Sequence, residues 1–105
     1  MKNLQEEIKN FCKNNKLESP VEHRILDLVS EVGEVSKEVL KMSDYGRKPV
    51  NFREEIKDEL GDVLFSLIAV ANSFDVDLEE ALKLALQKYE KRLKKGSAGS
   101  ESEGL

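Results

Sequence analysis

Two acidic pairs constrain this chain more than any other feature: Glu31-x-x-Glu34 and Glu59-x-x-Asp62. Each is embedded in an apolar run, LDLVSEVGEVSKEVL for the first and IKDELGDVLFSLIAV for the second. An i, i+3 spacing sets both carboxylates of a pair on one helix face, about one turn apart. The acidic faces extend further, because Glu31, Glu34 and Glu38 fall at i, i+3, i+7, and Glu55, Glu59 and Asp62 at i, i+4, i+7. Two such helices brought face to face crowd several carboxylates around one small volume, and like charges so close repel unless a cation sits among them. Mg²⁺ suits that place, being a hard ion with oxygen ligands that keeps waters and carries phosphates. The same residues also read as a solvated charged stripe, since an ExxE alone is common. Each pair encloses a glycine, Gly33 and Gly61. Glycine within a helix costs about 1 kcal/mol relative to Ala, so the matched pair predicts close backbone approach at both places.

Around these two helices the apolar periodicity predicts two more. Leu4, Ile8, Phe11 and Cys12 form one stripe over about 2–15, ended by Asn14-Asn15-Lys16. Ser19, with Glu22 three residues on and Pro20 between them, reads as a capping box opening a helix over about 20–42. Ser43 to Pro49 is a loop punctuated by Gly46 and Pro49. A third helix over about 51–73 has Asn51 as its cap, and beyond Leu60 it is apolar on nearly all sides, which predicts its second half as the most buried segment. Asp62 in that half is then an acid that needs a partner. Asp77 caps a fourth helix over about 78–94, whose last turn is crowded with Lys and Arg where the helix dipole favours them. The sum is an all-α four-helix bundle over residues 1–95, with the second and third helices antiparallel. The Gly/Ser/Glu-rich tail at 96–105 is expected to be disordered.

Composition narrows the function classes. Charged residues make up 36% of the 105, Trp is absent, and the net charge of −4 comes from interspersed signs, so no nucleic-acid groove is expected. No apolar run approaches the 18 residues of a membrane span, and MKNLQEEIKN has no signal-peptide core. The single cysteine, Cys12, sits beside Phe11 on an apolar face and cannot pair internally, which fits a reducing cytoplasm. It reads as packing, not as a nucleophile.

The stretch LVSEVGEVSKE followed by EEIKDELGDVLFSLIAVANSFDVDLEEAL resembles the MazG-like nucleotide pyrophosphohydrolases of the all-α nucleoside triphosphate pyrophosphohydrolase superfamily. That family carries an ExxE, a spacer and an ExxD. Here these are Glu31-Val-Gly-Glu34, twenty-four intervening residues, and Glu59-Leu-Gly-Asp62. The resemblance covers about residues 20–93. It implies Mg²⁺, with Mn²⁺ as a substitute, held by Glu31, Glu34, Glu59 and Asp62. It also implies water attack on the α-phosphorus of a nucleoside triphosphate, releasing a monophosphate and pyrophosphate. A carboxylate beside the metal can accept the water proton; Glu34 through its free oxygen, Glu38 and Glu55 are the candidates. Lys88, Lys91 and Arg92 lie where the family often has a Lys/Arg motif for the phosphates. They serve the helix dipole equally well. Asn72 and His23 are further candidate nucleotide contacts.

Other readings stand beside this one. A phosphoribosyl-ATP pyrophosphohydrolase is a neighbouring enzymatic reading. A non-catalytic helical module that oligomerises through the same apolar faces is a different class, for which the acids are dispensable. A di-iron carboxylate bundle is disfavoured, because it asks for Glu-x-x-His and the one histidine, His23, follows Pro20 at that spacing. Broad apolar stripes on short helices predict a homo-oligomer. A tetramer built as a dimer of dimers is favoured over a dimer, with active sites near the dimer interface.

Overall fold

Four helices account for about three quarters of residues 1–96, the part of the chain that the computed structural model describes. They are α1 (Lys2–Asn14), α2 (Val21–Met42), α3 (Glu55–Ser73) and α4 (Leu78–Lys94). The all-α expectation holds, and no helix among the described residues is long and apolar enough to cross a membrane. The expected disordered tail lies, from residue 97 on, outside the described residues.

The helix starts differ from expectation in two places. Pro20 adopts extended backbone (φ −60°, ψ 153°) and is itself the N-cap of α2, with its carbonyl accepting from His23 N at 3.0 Å. Ser19 is thereby one residue too far out to cap, and the capping box does not form. Asn51 does not cap α3 either. Its N–H donates back to the Met42 carbonyl at 3.0 Å, which holds it at the end of α2, and α3 begins only at Glu55. At α4 the expectation is met, with Asp77 Oδ1 accepting from Glu79 N at 2.9 Å and Glu80 N at 3.3 Å. That satisfies two of the donors every helix start leaves open.

The α2 and α3 helices form an antiparallel hairpin, the main packing unit of the protomer. The loop between them is held from inside. Ser43, buried, donates through Oγ to the Leu40 carbonyl at 3.2 Å and accepts from Gly46 N at 3.0 Å, while Gly46 takes φ +86°, a conformation open to glycine. On the other side α1 lies against α3. Phe11 and Phe65 meet edge to face with centroids 6.2 Å apart. The buried Gln5 reaches the α3–α4 turn, donating to Val76 O at 2.8 Å and accepting from Leu78 N at 2.9 Å. Arg24 of α2 completes the corner through the Leu17 carbonyl and Cys12 Sγ.

The second half of α3 is the most buried part of the helix, as its composition predicts, with Ser66, Ile68, Ala69 and Ala71 all buried. The burial begins later than expected. Leu60 and Leu64, one turn apart on an α3 face that one chain leaves open, are exposed, and so is Asp62 on the acidic side of the helix. The fourth helix is more open still. It makes only marginal contact with the other three among the described residues, and Leu82, Leu86 and Leu93 stand exposed along it. The radius of gyration is 17.0 Å, where a compact chain of this length has about 13 Å. One protomer supplies the four helices without closing a bundle around them. Gly33 and Gly61 agree with that picture. A Cβ built at either meets nothing within 4 Å, so the close backbone approach expected there does not occur within the chain.

Candidate metal centre

The antiparallel register of α2 and α3 sets the two acidic faces against each other. Glu31, Glu59 and Asp62 each offer a carboxylate oxygen within 4.8 Å of the others. Glu31 and Glu59 are partly buried and Asp62 is exposed, so the group forms a rim open to solvent on one side. Among the described residues no Lys or Arg forms an ion pair with any of the three. The electrostatic consequence falls on Glu59. Loss of hydration, and then the charges of Glu34, Asp62, Glu31 and Glu38, push its carboxyl above the usual range. Glu34 is the foremost of those charges, although its own oxygens lie outside the close group. It is exposed and 4.0 Å from Lys37, one turn along α2.

This donor set fits a hard divalent cation. Mg²⁺ bonds oxygen at about 2.1 Å, so octahedral ligands stand roughly 3.0 Å apart when adjacent and 4.2 Å when opposite. Three carboxylate oxygens within 4.8 Å of one another are close to that spacing. The open side leaves room for waters or phosphate oxygens.

The other acids of the two faces behave differently. Glu38 is 5% exposed and lies at the α2 end of the loop. Arg53 Nε approaches its Oε2 at 2.7 Å, in an alignment that makes an ion pair and not a directed hydrogen bond. The same guanidinium donates through Nη2 to Glu55 Oε2 at 3.3 Å. Glu38 and Glu55, expected beside the metal as proton acceptors, are thus joined to each other through Arg53.

The expected substrate contacts are dispersed. Asn72 is half-buried and engaged with α1, its Nδ2 donating to Gln5 O at 3.0 Å and its Oδ1 accepting from Gln5 Nε2 at 3.2 Å. His23 is exposed in the first turn of α2. Lys88 and Lys91 are exposed near the end of α4, with the Lys88 ammonium 5.3 Å from the Tyr89 ring centre. Arg92 is buried, its guanidinium 5.5 Å from the same ring. The structure therefore brings together three of the four expected ligands, leaves Glu34 at their edge, and does not bring the α4 cations to them within one protomer. Two residues with clear roles, Arg53 and Gln5, were not singled out in the sequence. Neither carries a local signal, because each acts on a residue distant along the chain.

A nucleotide pyrophosphohydrolase domain model, MazG, matches residues 20–97, which include both acidic pairs and the whole of α2, α3 and α4. The chain belongs to the MazG family. Among proteins similar to it is YpjD of Bacillus subtilis (strain 168), an uncharacterized protein, 43% identical over 68 residues that make up 62% of this chain and 60% of that one. The nucleoside triphosphate pyrophosphohydrolase/pyrophosphatase MazG of Thermotoga maritima is 39% identical over 51 residues, 49% of this chain and 20% of the Thermotoga protein. The chain thus spans less than two thirds of the length of these curated relatives. Two solved structures share the fold, each with a TM-score of 0.70 and each matched over 84% of this chain. They are a Bacillus-conserved MazG protein described as a nucleotide pyrophosphohydrolase, 31% identical and covered to 86%, and the putative pyrophosphatase YpjD of Bacillus subtilis, 33% identical and covered to 92%.

Proposed function

We propose that this MazG chain is a divalent-metal-dependent nucleoside triphosphate pyrophosphohydrolase, using Mg²⁺ and accepting Mn²⁺. The reading rests on one observation above the others: Glu31, Glu59 and Asp62 converge from two helices, and among the described residues no Lys or Arg forms an ion pair with them. In it these three carboxylates hold the metal and Glu34 swings in as a further ligand. Bound there, a divalent ion neutralises phosphate charge and lowers the pKa of a water. The chain's own part is to fix geometry and take a proton. The α2–α3 hairpin fixes the carboxylates on rigid helices, and the free oxygen of Glu34 accepts the proton of the attacking water. The water oxygen bonds to the α-phosphorus, the bond from that phosphorus to the α,β-bridging oxygen breaks, and the products are a nucleoside monophosphate and pyrophosphate.

In the same reading the working unit is a homo-oligomer, a tetramer in preference to a dimer. The open faces of α3 and α4 support this, since a lone chain leaves Leu60, Leu64, Leu82, Leu86 and Leu93 in water. Lys88 and Lys91 are then phosphate contacts made within the assembly.

A panel of the canonical nucleoside and deoxynucleoside triphosphates, with and without Mg²⁺ and with products separated by chromatography, tests this reading. Monophosphate and pyrophosphate, formed only with metal, are expected. Diphosphate and orthophosphate mean that the wrong bond is cut, and they overturn the reaction assigned here.

A further inference from the structure

Six of the acids on α2 and α3, those of the two facing acidic stripes, form a ladder of three rungs. Glu31 meets Glu59 and Asp62 at one end, Glu34 and Glu59 share the middle, and Glu38 and Glu55 lie at the loop end. Successive rungs are about one helical turn, roughly 5.4 Å, apart. The loop-end rung has the same chemistry as the other end, with carboxylates on both helices. It differs in that one of its acids, Glu38, is almost wholly buried, and in that a cation of the protein's own is already there.

A buried carboxylate left alone is costly, and some positive charge must accompany it. Arg53 meets that need from a backbone pinned on both sides. Two residues before it, Asn51 N is bonded to Met42 O at the end of α2, and its own carbonyl accepts from Ile56 N at 3.1 Å in the first turn of α3. The loop thereby delivers the guanidinium over the end of the ladder. Its forked, permanently charged head suits it to two carboxylates at once.

We propose that Arg53 is a positioning residue of the metal centre, serving as a built-in counter-ion that occupies the loop-end rung between Glu38 and Glu55 and so confines divalent ions to the Glu31–Glu59–Asp62 end. The inference rests on the metal-binding reading above and adds to it which part of the acidic face is closed to metal, and by what. It assigns Glu38 and Glu55 to holding Arg53 in place of direct work on the water. It also makes the number of ions a property set by a residue outside both acidic motifs.

The test is a titration of the full chain with Mn²⁺ alone, without nucleotide, following free Mn²⁺ by electron paramagnetic resonance. Arg53→Gln is expected to take up about one further Mn²⁺ per protomer than the unmodified chain, because the opened rung is a second set of crowded carboxylates. Arg53→Lys, which keeps the charge, should retain the original count. The pair Arg53→Gln with Glu38→Gln should restore it, because the added site loses an acid. A purely structural role for the guanidinium fork is not rescued by either change. If Arg53→Gln fails to fold, as judged by circular dichroism, Glu38→Gln alone carries the test. Arg53 is then under-neutralised, and the remaining Mn²⁺ should bind several-fold more weakly. A folded Arg53→Gln with the original count and affinity overturns the proposal while leaving the metal reading intact, and so does unchanged affinity in Glu38→Gln. An unmodified chain that takes up no Mn²⁺ sinks the metal reading, and this inference with it.

Discussion

Gln5 and Asn72 are bonded reciprocally across sixty-seven residues of sequence: the Gln5 amide donates to Asn72 Oδ1 at 3.2 Å, and the Asn72 amide donates to the Gln5 backbone carbonyl at 3.0 Å. Gln5 also satisfies Val76 O and Leu78 N at the α3–α4 turn. The pair therefore fastens α1 to the turn from which α4 departs. Asn72 had suggested a nucleotide contact in the sequence, yet both ends of its side-chain amide are taken up here.

Gln5→Ala should destabilise the fold by about 1–3 kcal/mol, because it leaves Leu78 N and Val76 O without their partner in a part-buried place. Asn72→Ala should cost somewhat less and leave the KM for nucleotide unchanged in the protein that remains folded. Chemical denaturation gives the first quantity and steady-state kinetics the second. A KM that rises tenfold or more in a fully folded Asn72→Ala would return Asn72 to the nucleotide.

Glu59→Gln should abolish turnover while preserving the helices. Glu59 is the acid whose charge is most crowded by the others, and its neutral amide keeps the shape but offers the metal a far weaker ligand. Asp62→Asn should act in the same direction. Full hydrolysis by either variant removes that residue from the metal site. The measurement is product formation at saturating Mg²⁺, with circular dichroism confirming the fold.

The raised pKa of Glu59 sets a pH dependence of stability in the metal-free protein. A carboxyl whose folded pKa lies above its unfolded value of about 4.5 holds its proton more tightly in the native state. Through the window from the unfolded value to the raised one, the native state binds more protons than the unfolded state, so stability falls as pH rises. Above the window the loss is complete, and the ionised Glu59 is a net burden to the metal-free fold. Thermal melts without metal should therefore show this fall in the parent chain and a smaller one in Glu59→Gln, which should be the more stable of the two at neutral pH. Added Mn²⁺ should raise the parent's melting temperature above pH 7 and do little for the variant. A parent and variant with superimposable pH profiles would show that the lost hydration and carboxylate crowding at Glu59 have no energetic weight.

The parts of this architecture that were legible in the sequence are those encoded within one helix. The apolar stripe of α1, the Asp77 cap and the i, i+3 acid pairs each depend on neighbours a turn away. The family likeness then indicated which acids should converge. What was not legible depends on contacts between segments. Asn51 looked like a helix cap, but its N–H is claimed by Met42 across the loop. Glu38 looked like one more acid on a face until Arg53, fifteen residues on, neutralised it. Gly33 and Gly61 promised a close approach that a single chain does not make. The pattern of Leu60 and Leu64 showed correctly that a face is apolar, but pattern alone does not say whether its cover comes from the same chain.

That question has a direct test on α4. Leu82 and Leu86 are one turn apart on a helix that touches the rest of its own protomer only marginally, and both are more than half exposed. Covering a leucine contributes about 2 kcal/mol, so the pair offers an assembly several kcal/mol that one chain cannot collect. Replacing both by Lys should do little to the helical content of the protomer, since neither side chain is in its core. It should, however, split the oligomer, with sedimentation equilibrium reporting the mass of one chain where the parent gives a multiple. Melting should become independent of protein concentration in the variant and remain dependent on it in the parent. Turnover should fall with the assembly if Lys88 and Lys91 reach the phosphates only from within it. A parent chain that sediments as a single protomer would sink the oligomer outright, and a variant of unchanged mass would move the interface off this face of α4.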